Sequence, residues 1–207
     1  MANRRETLFD LIRHGEPEGG PRYRGHVDDP LSELGWQQMR AAIQEQEPWD
    51  AILTSPLSRC QAFAEAVADE RGLPLYVEPD FKELSFGDWE GRTGAEIQDE
   101  DGERLRRFWQ NPLQYPPPNG ESLRAFNERI QRGWEHWREE LAEQHVLLVC
   151  HGGVIRMITG AAMGIPLTHS LGVMMVPYAC RTRIRLDRAG DEWMSALVSH
   201  GVPGSAP

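Results

Sequence analysis

Leu8-Phe9-Asp10-Leu11-Ile12-Arg13-His14-Gly15-Glu16 carries a short, mostly apolar run into an arginine, a histidine and a glycine, and Val146-Leu147-Leu148-Val149-Cys150-His151-Gly152-Gly153 carries a second such run into a histidine and two glycines. A run of this length bounded by glycine is that of a buried strand, too short for a helix. Ala51 to Thr54 reads as another strand, and a last one is expected from Val173 through Arg183 to Leu186.

Helical patterns lie between these runs. Ser32 can cap a helix with Met39, Ala42 and Ile43 on one face, and Pro56 can open a second with Cys60, Phe63, Ala64 and Val67 turned inward. From about Ser122, the residues Leu123, Phe126, Ile130, Trp134, Trp137 and Leu141 recur at spacings of three and four, the buried stripe of a long amphipathic helix. Strand followed by helix, repeated, predicts an α/β fold with a mainly parallel sheet and helices on both faces. Residues 81–120 break the alternation, being rich in glycine, acidic residues and proline, and are expected to form an inserted helical or loop lid over the strand ends. The 207 residues suit one domain spanning 1–207, with that insertion, and the tail after Val202 is expected to be disordered.

A formal net charge of −10 repels other polyanions, so nucleic acid is an unexpected partner and any phosphate chemistry needs a local cationic pocket. Cys60, Cys150 and Cys180 lack CxxC spacing and sit in or beside apolar runs, which suits buried thiols in a reducing, cytoplasmic compartment. Arg4 and Arg5 are not followed by a long apolar segment, and no later stretch approaches the length of a membrane span. The sequence does not fix an oligomeric state.

In a parallel sheet His14 and His151 end their strands over the same crevice, where such folds bind ligands. A lone histidine there is usually a structural hydrogen-bonder; two, each followed by glycine and one preceded by arginine, point to a site. Arg59, in Thr54-Ser55-Pro56-Leu57-Ser58-Arg59, lies in the first turn of a helix leaving a strand end and can reach that crevice, although alone it reads as an ordinary solvated residue. Arg13 and Arg59 suit bidentate contact with phosphate oxygens, and the helix opening at Gly152 adds backbone donors and a positive dipole end. Glu83, in Lys82-Glu83-Leu84-Ser85-Phe86-Gly87-Asp88-Trp89-Glu90-Gly91, is a candidate acid, but position alone does not separate it from Asp88 or Glu90. No HExxH, cysteine cluster or Walker loop is present, so neither a metal nor another cofactor is expected.

Arg13-His14-Gly15-Glu16, Tyr23 to Ser32, Ser55-Pro56-Leu57-Ser58-Arg59, Glu83 with its Phe-Gly-Asp-Trp-Glu-Gly sequel, and His151-Gly152-Gly153 together resemble the histidine phosphatase (phosphoglycerate-mutase-like) superfamily, over nearly the whole chain. Within it the chain is most similar to the alpha-ribazole phosphatases of cobalamin assembly, through Phe86 to Gly91 and Asn119-Gly120-Glu121-Ser122. The resemblance implies a metal-independent phosphomonoesterase acting on a small molecule. His14 is then the nucleophile; Arg13, Arg59 and a protonated His151 neutralise the phosphoryl oxygens; Glu83 is the general acid and then base.

One departure stands out. Many relatives place threonine after this first motif and an asparagine phosphate contact a few residues later, where this chain has Pro17 and Gly19-Gly20. Arg22 or Arg24 is a candidate replacement, with a solvated loop cation as the equal alternative. Trp89, Trp109 and Tyr115 can either stack on an aromatic leaving group or simply pack the lid. A broad-specificity or sugar-phosphate phosphatase is the alternative activity. A phosphoglycerate mutase fits less well, since Leu84-Ser85-Phe86-Gly87 replaces the arginine and tyrosine-glycine pair those mutases carry. A non-catalytic phospho-ligand binder predicts loss of His14, Arg59, Glu83 or His151, and all four are present.

Overall fold

The computed structural model describes residues 6–43, 47–190 and 192–202; Arg4, Arg5 and the tail after Val202 lie outside the described residues. In chain order the elements are β1 (Thr7–Arg13), α1 (Glu33–Ala42), β2 (Ala51–Thr54), α2 (Ser58–Arg71), β3 (Leu75–Val77), α3 (Gly94–Gln110), α4 (Leu123–Glu140), β4 (His145–Cys150), α5 (Gly152–Ala162), β5 (Arg181–Ala189) and β6 (Glu192–Gly201). They build a sheet of order β3-β2-β4-β1-β5-β6. β1 to β4 run parallel, β5 pairs antiparallel with β1 and β6 antiparallel with β5, so the α/β, mainly parallel reading holds.

The central strands β1, β2 and β4 bury residues of both pleat faces, which explains their apolar runs. Ile12, Ile52, Leu147 and Val149 pack with Met39 and Ala42 of α1 and with Cys60, Phe63, Ala64 and Val67 of α2. On the opposite face Phe9, Leu11, Leu53, Val146 and Leu148 meet Phe126, Ile130 and Trp134 of α4 and the apolar side of α5. Ser32 caps α1, accepting from Gly35 N, and Ser122 caps α4 through Ala125 N. Among the described residues no helix is long and apolar enough to cross a membrane. The three cysteines are free and buried.

One expectation needs correction. Residues 173–180 are not strand: β5 begins at Arg181, because Met174, Met175 and Val176 give their carbonyls to side chains of the body instead of a ladder. The edge strands β3 and β6 do not show as apolar runs, since an edge strand buries only part of its surface. Within 81–120 lies α3, opened by a reciprocal capping box between Thr93 and Glu96 and kinked at Asp101. Its Ile97, Leu105 and Phe108 join the α4 side of the core.

Candidate active site

Parallel pairing brings three strand ends to one edge. Arg13 of β1 registers with Cys150 of β4, and Thr54 of β2 with Val149. The ladder continues past the strands, with His14 N donating to Cys150 O at 2.9 Å and Ser55 N to Val149 O at 3.1 Å. His14, Ser55 and His151 thereby converge, with the two imidazole rings 5.2 Å apart.

The turn after β1 is fixed by helix α1. A side chain on Gly15 would meet the backbone of Gly35 at 2.2 Å, and one on Gly35 would meet Glu16 O at 2.1 Å, so both glycines are needed for this close approach. Ser32 Oγ also donates to Glu16 O. His14 Nδ1 donates to Gly15 O at 2.7 Å, the tautomer that leaves the Nε2 lone pair free. Burial, then the charges of Arg13 and Arg59, push its pKa well below the ordinary value, so the ring is neutral at pH 7.

Arg59 is almost fully buried and donates through NH1 to Val27 O and NH2 to Gly25 O, at 2.8 and 2.7 Å. The same loop returns Asp28, whose carboxylate caps α2 by accepting from Ser58 N. Arg13 donates through NH1 to Val176 O at 2.6 Å, and its guanidinium lies 4.3 Å from the Tyr178 ring centre. The Nε atoms of both arginines are buried without a hydrogen-bond partner among the described residues. Two orphan cationic donors beside one crevice fit an incoming anion.

That crevice, about 360 Å³, is lined by Arg13, His14, Arg22, Arg24, Arg59, Glu83, Gly152, Arg156 and Tyr178, with Tyr23, Phe86 and Trp109 at its sides. His14, Arg13, Arg22, Arg24, Arg59, Glu83 and Gly152, all read from the sequence, border it; His151 does not, since its ring lies behind His14, fully buried, with Nε2 2.8 Å from Ser55 Oγ. The expectation of a protonated His151 is corrected for this state: burial, then the charge of Arg59, holds its pKa well below the ordinary value. A separate crevice of about 560 Å³ holds Arg104, Arg107, Tyr115 and Pro116 to Pro118, but no histidine.

Glu83 is separated from its rivals by geometry. Its Oε2 accepts from Gly153 N at 3.0 Å in the first turn of α5, and Oε1 from Leu84 N. Arg129 of α4 pins the surrounding backbone, donating to the carbonyls of Asp80, Lys82 and Glu83 while paired with Glu121. Glu90 instead ties loops together, accepting from His26 N, Val27 N, Ser85 Oγ and Phe86 N, and Asp88 pairs with Asn119.

Arg24 is buried, paired with Asp29 at 2.9 Å and bonded to Glu18 O, and its charge reaches His14. Arg22 is exposed and tied to Gly19 O and Gly91 O. Of the aromatic candidates, Trp89 is buried packing, Tyr115 lies in the other crevice, and Trp109 stands at the mouth, donating to Tyr23 OH at 2.9 Å. Arg156 and Tyr178 were not identified from the sequence. An arginine one turn beyond Gly152, alone in an apolar helix, is the signal for the first; Tyr178 arrives by loop docking and has none.

An α/β sheet whose strand ends gather two imidazoles, a carboxylate and, in Arg13 and Arg59, two arginines without acidic partners among the described residues is the layout of an enzyme that handles a phosphate-like anion. Residues 9–199 match the family model of the histidine phosphatase superfamily (branch 1), and the chain belongs to that superfamily. It is 34% identical over 163 residues to the adenosylcobalamin/alpha-ribazole phosphatase of Escherichia coli (strain K12), covering 75% of this chain and 79% of that one. It is 31% identical over 170 residues to the glucosyl-3-phosphoglycerate phosphatase of Mycolicibacterium vanbaalenii, covering 76% and 74%. The crystal structure of the alpha-ribazole phosphatase from Shigella flexneri superposes with a TM-score of 0.77 at 29% identity, covering 92% of this chain and 95% of that one. The chain is accordingly a phosphomonoester hydrolase, as its motifs led us to expect.

Proposed function

We propose that this chain hydrolyses alpha-ribazole 5'-phosphate, a step of cobalamin assembly, through a phosphohistidine on His14 and without a metal ion. The observation that carries the mechanism is the tautomer of His14: Nδ1 is engaged by Gly15 O, and Nε2 remains for phosphorus, in a crevice shared with Arg13 and Arg59. Nε2 attacks in line, the phosphorus–oxygen ester bond breaks, and Glu83 gives its proton to the departing alkoxide. Water then attacks the phosphohistidine, Glu83 takes its proton, and His14 leaves as a neutral imidazole. The orphan Nε atoms of Arg13 and Arg59 and the amide of Gly152 meet the equatorial oxygens, the charge a divalent ion supplies elsewhere. Arg24, buried and within electrostatic reach of His14, takes the place of the missing asparagine; Arg22 guides the anion at the rim.

Two features support the substrate. Relatives bear that activity in their names, and Tyr23, Phe86, Trp109 and Tyr178 give the crevice aromatic sides suited to a flat base. We place residues 81–120, which carry Glu83, Phe86 and Trp109, as the lid of a single domain. The buried thiols suit a reducing cytoplasm. Kinetics on a panel of alpha-ribazole 5'-phosphate, glucosyl-3-phosphoglycerate, 3-phosphoglycerate, sugar phosphates and nucleotides tests the assignment. The highest kcat/KM is expected for alpha-ribazole 5'-phosphate; another ester ahead by tenfold, about 1.4 kcal/mol of transition-state discrimination, overturns it.

A further inference from the structure

We propose that Arg156 is a specificity-determining residue that donates to an oxygen of the leaving group, so that preferred substrates carry a hydroxyl, ring-ether or carboxylate oxygen near the ester carbon. The inference rests on the phosphohydrolase reading above and deepens it. Arg156 is half-buried in α5, four residues after Gly152, and borders the crevice. Its Nε donates to Met174 O at 3.0 Å, which fixes the plane of the guanidinium. Among the described residues no hydrogen bond or ion pair engages NH1 or NH2, so a two-nitrogen edge is presented by an immobilised cation.

Its position favours the leaving group over the phosphoryl group. A side chain on Gly152 would lie 3.1 Å from Arg156 NH1 and 3.5 Å from Arg13 Nε, so the two guanidiniums flank that glycine. Glu83 reaches the next residue, Gly153, and is the carboxylate whose charge acts most strongly on Arg156. Arg156 thus shares one helix turn with the glycine that faces Arg13 and with the residue that anchors Glu83. In-line attack places the ester oxygen opposite His14, and under the mechanism proposed above the equatorial oxygens fall to the orphan donors of Arg13 and Arg59. What remains within reach of NH1 and NH2 is the group attached to the ester oxygen.

The test measures kcat and KM with n-butyl phosphate, which has no second acceptor, ribose 5-phosphate and 3-phosphoglycerate, and traps the phosphoenzyme with each. Arg156→Met is expected to raise KM about tenfold for the acceptor-bearing ester or esters, the loss of one charge-assisted hydrogen bond, with kcat nearly unchanged. Both constants for n-butyl phosphate should hold, and Arg156→Lys should recover part of the loss. Which ester responds tells a sugar oxygen from a carboxylate. Equal losses on n-butyl phosphate overturn the inference, since they assign Arg156 to the phosphoryl group or to holding the loop that also anchors Arg13 through Val176. No change on any ester overturns it equally. Failure to trap phospho-His14 in the unaltered enzyme strikes the parent reading instead.

Discussion

His14 and His151 end adjacent strands, yet their surroundings give them different work. His14 faces the crevice with one nitrogen engaged by a carbonyl, while His151 is enclosed behind it against Ser55. Both pKa values are lowered, by burial first, so both rings are neutral at pH 7. The sign follows: as pH falls below the ordinary value of 6.5, the unfolded chain takes up protons that the folded rings refuse, and stability declines. A dianion bound beside them should favour the protonated rings. Calorimetry of sulfate binding at pH 6 to 7, in buffers of differing ionisation enthalpy, should show proton uptake, reduced in His151→Asn. Sulfate keeps its charge across this range, so absence of uptake would mean that His151 stays neutral and supplies no cation. Glu83 is tested through its leaving group. An alkoxide needs a proton and p-nitrophenolate does not, so in single turnovers Glu83→Gln should slow phosphorylation of His14 by alkyl phosphates on the order of 10²- to 10⁴-fold and largely spare p-nitrophenyl phosphate. Equal losses would remove Glu83 from the acid's role.

Among the elements, the contact between α1 and the turn after β1 has the least tolerance. Gly15 and Gly35 touch backbone to backbone, and a methyl group on Gly35 would have to displace Glu16 O and with it the loop carrying His14. Gly35→Ala should cost about 1–3 kcal/mol in denaturant unfolding and lower kcat; unchanged stability and kcat would show that the turn is not held this way. The strands β1, β2 and β4 were legible because full burial demands continuous apolar runs. So were α1 and α4, whose serine caps and buried spacings are local, and α2, whose buried spacing is local although Asp28 of another loop holds its N-terminus. The segment before β5 misled, since Val173 to Val176 is apolar enough for a strand, but its carbonyls are claimed by Arg156, His200 and Arg13. Such side-chain competition for backbone is tertiary, and Tyr178, delivered by the same segment, was hidden with it.

Taken whole, the molecule carries a net charge of −10 and still concentrates arginine at one crevice. Among the described residues Arg13, Arg59 and Arg156 form no ion pair, whereas Asp10, buried in β1, is matched by Arg183 and His145. Burial alone would raise the pKa of Asp10; the bonds from Arg183, His145 and Trp49 hold it well below the usual carboxylate range. Charge is satisfied internally where it supports the sheet and left unsatisfied where an anion is to bind. The place of the candidate site was legible because its main residues adjoin strand ends, while Arg156 needed the packed structure to appear. The central claim is that phosphorus passes through His14, aided by arginines instead of a metal. Enzyme exhaustively treated with a chelator, mixed with substrate and quenched in alkali, should carry an acid-labile phosphoryl group that mass spectrometry maps to His14. A phosphoryl group mapped to His151 or to a serine, or one that forms only after magnesium or zinc is restored, would contradict the account.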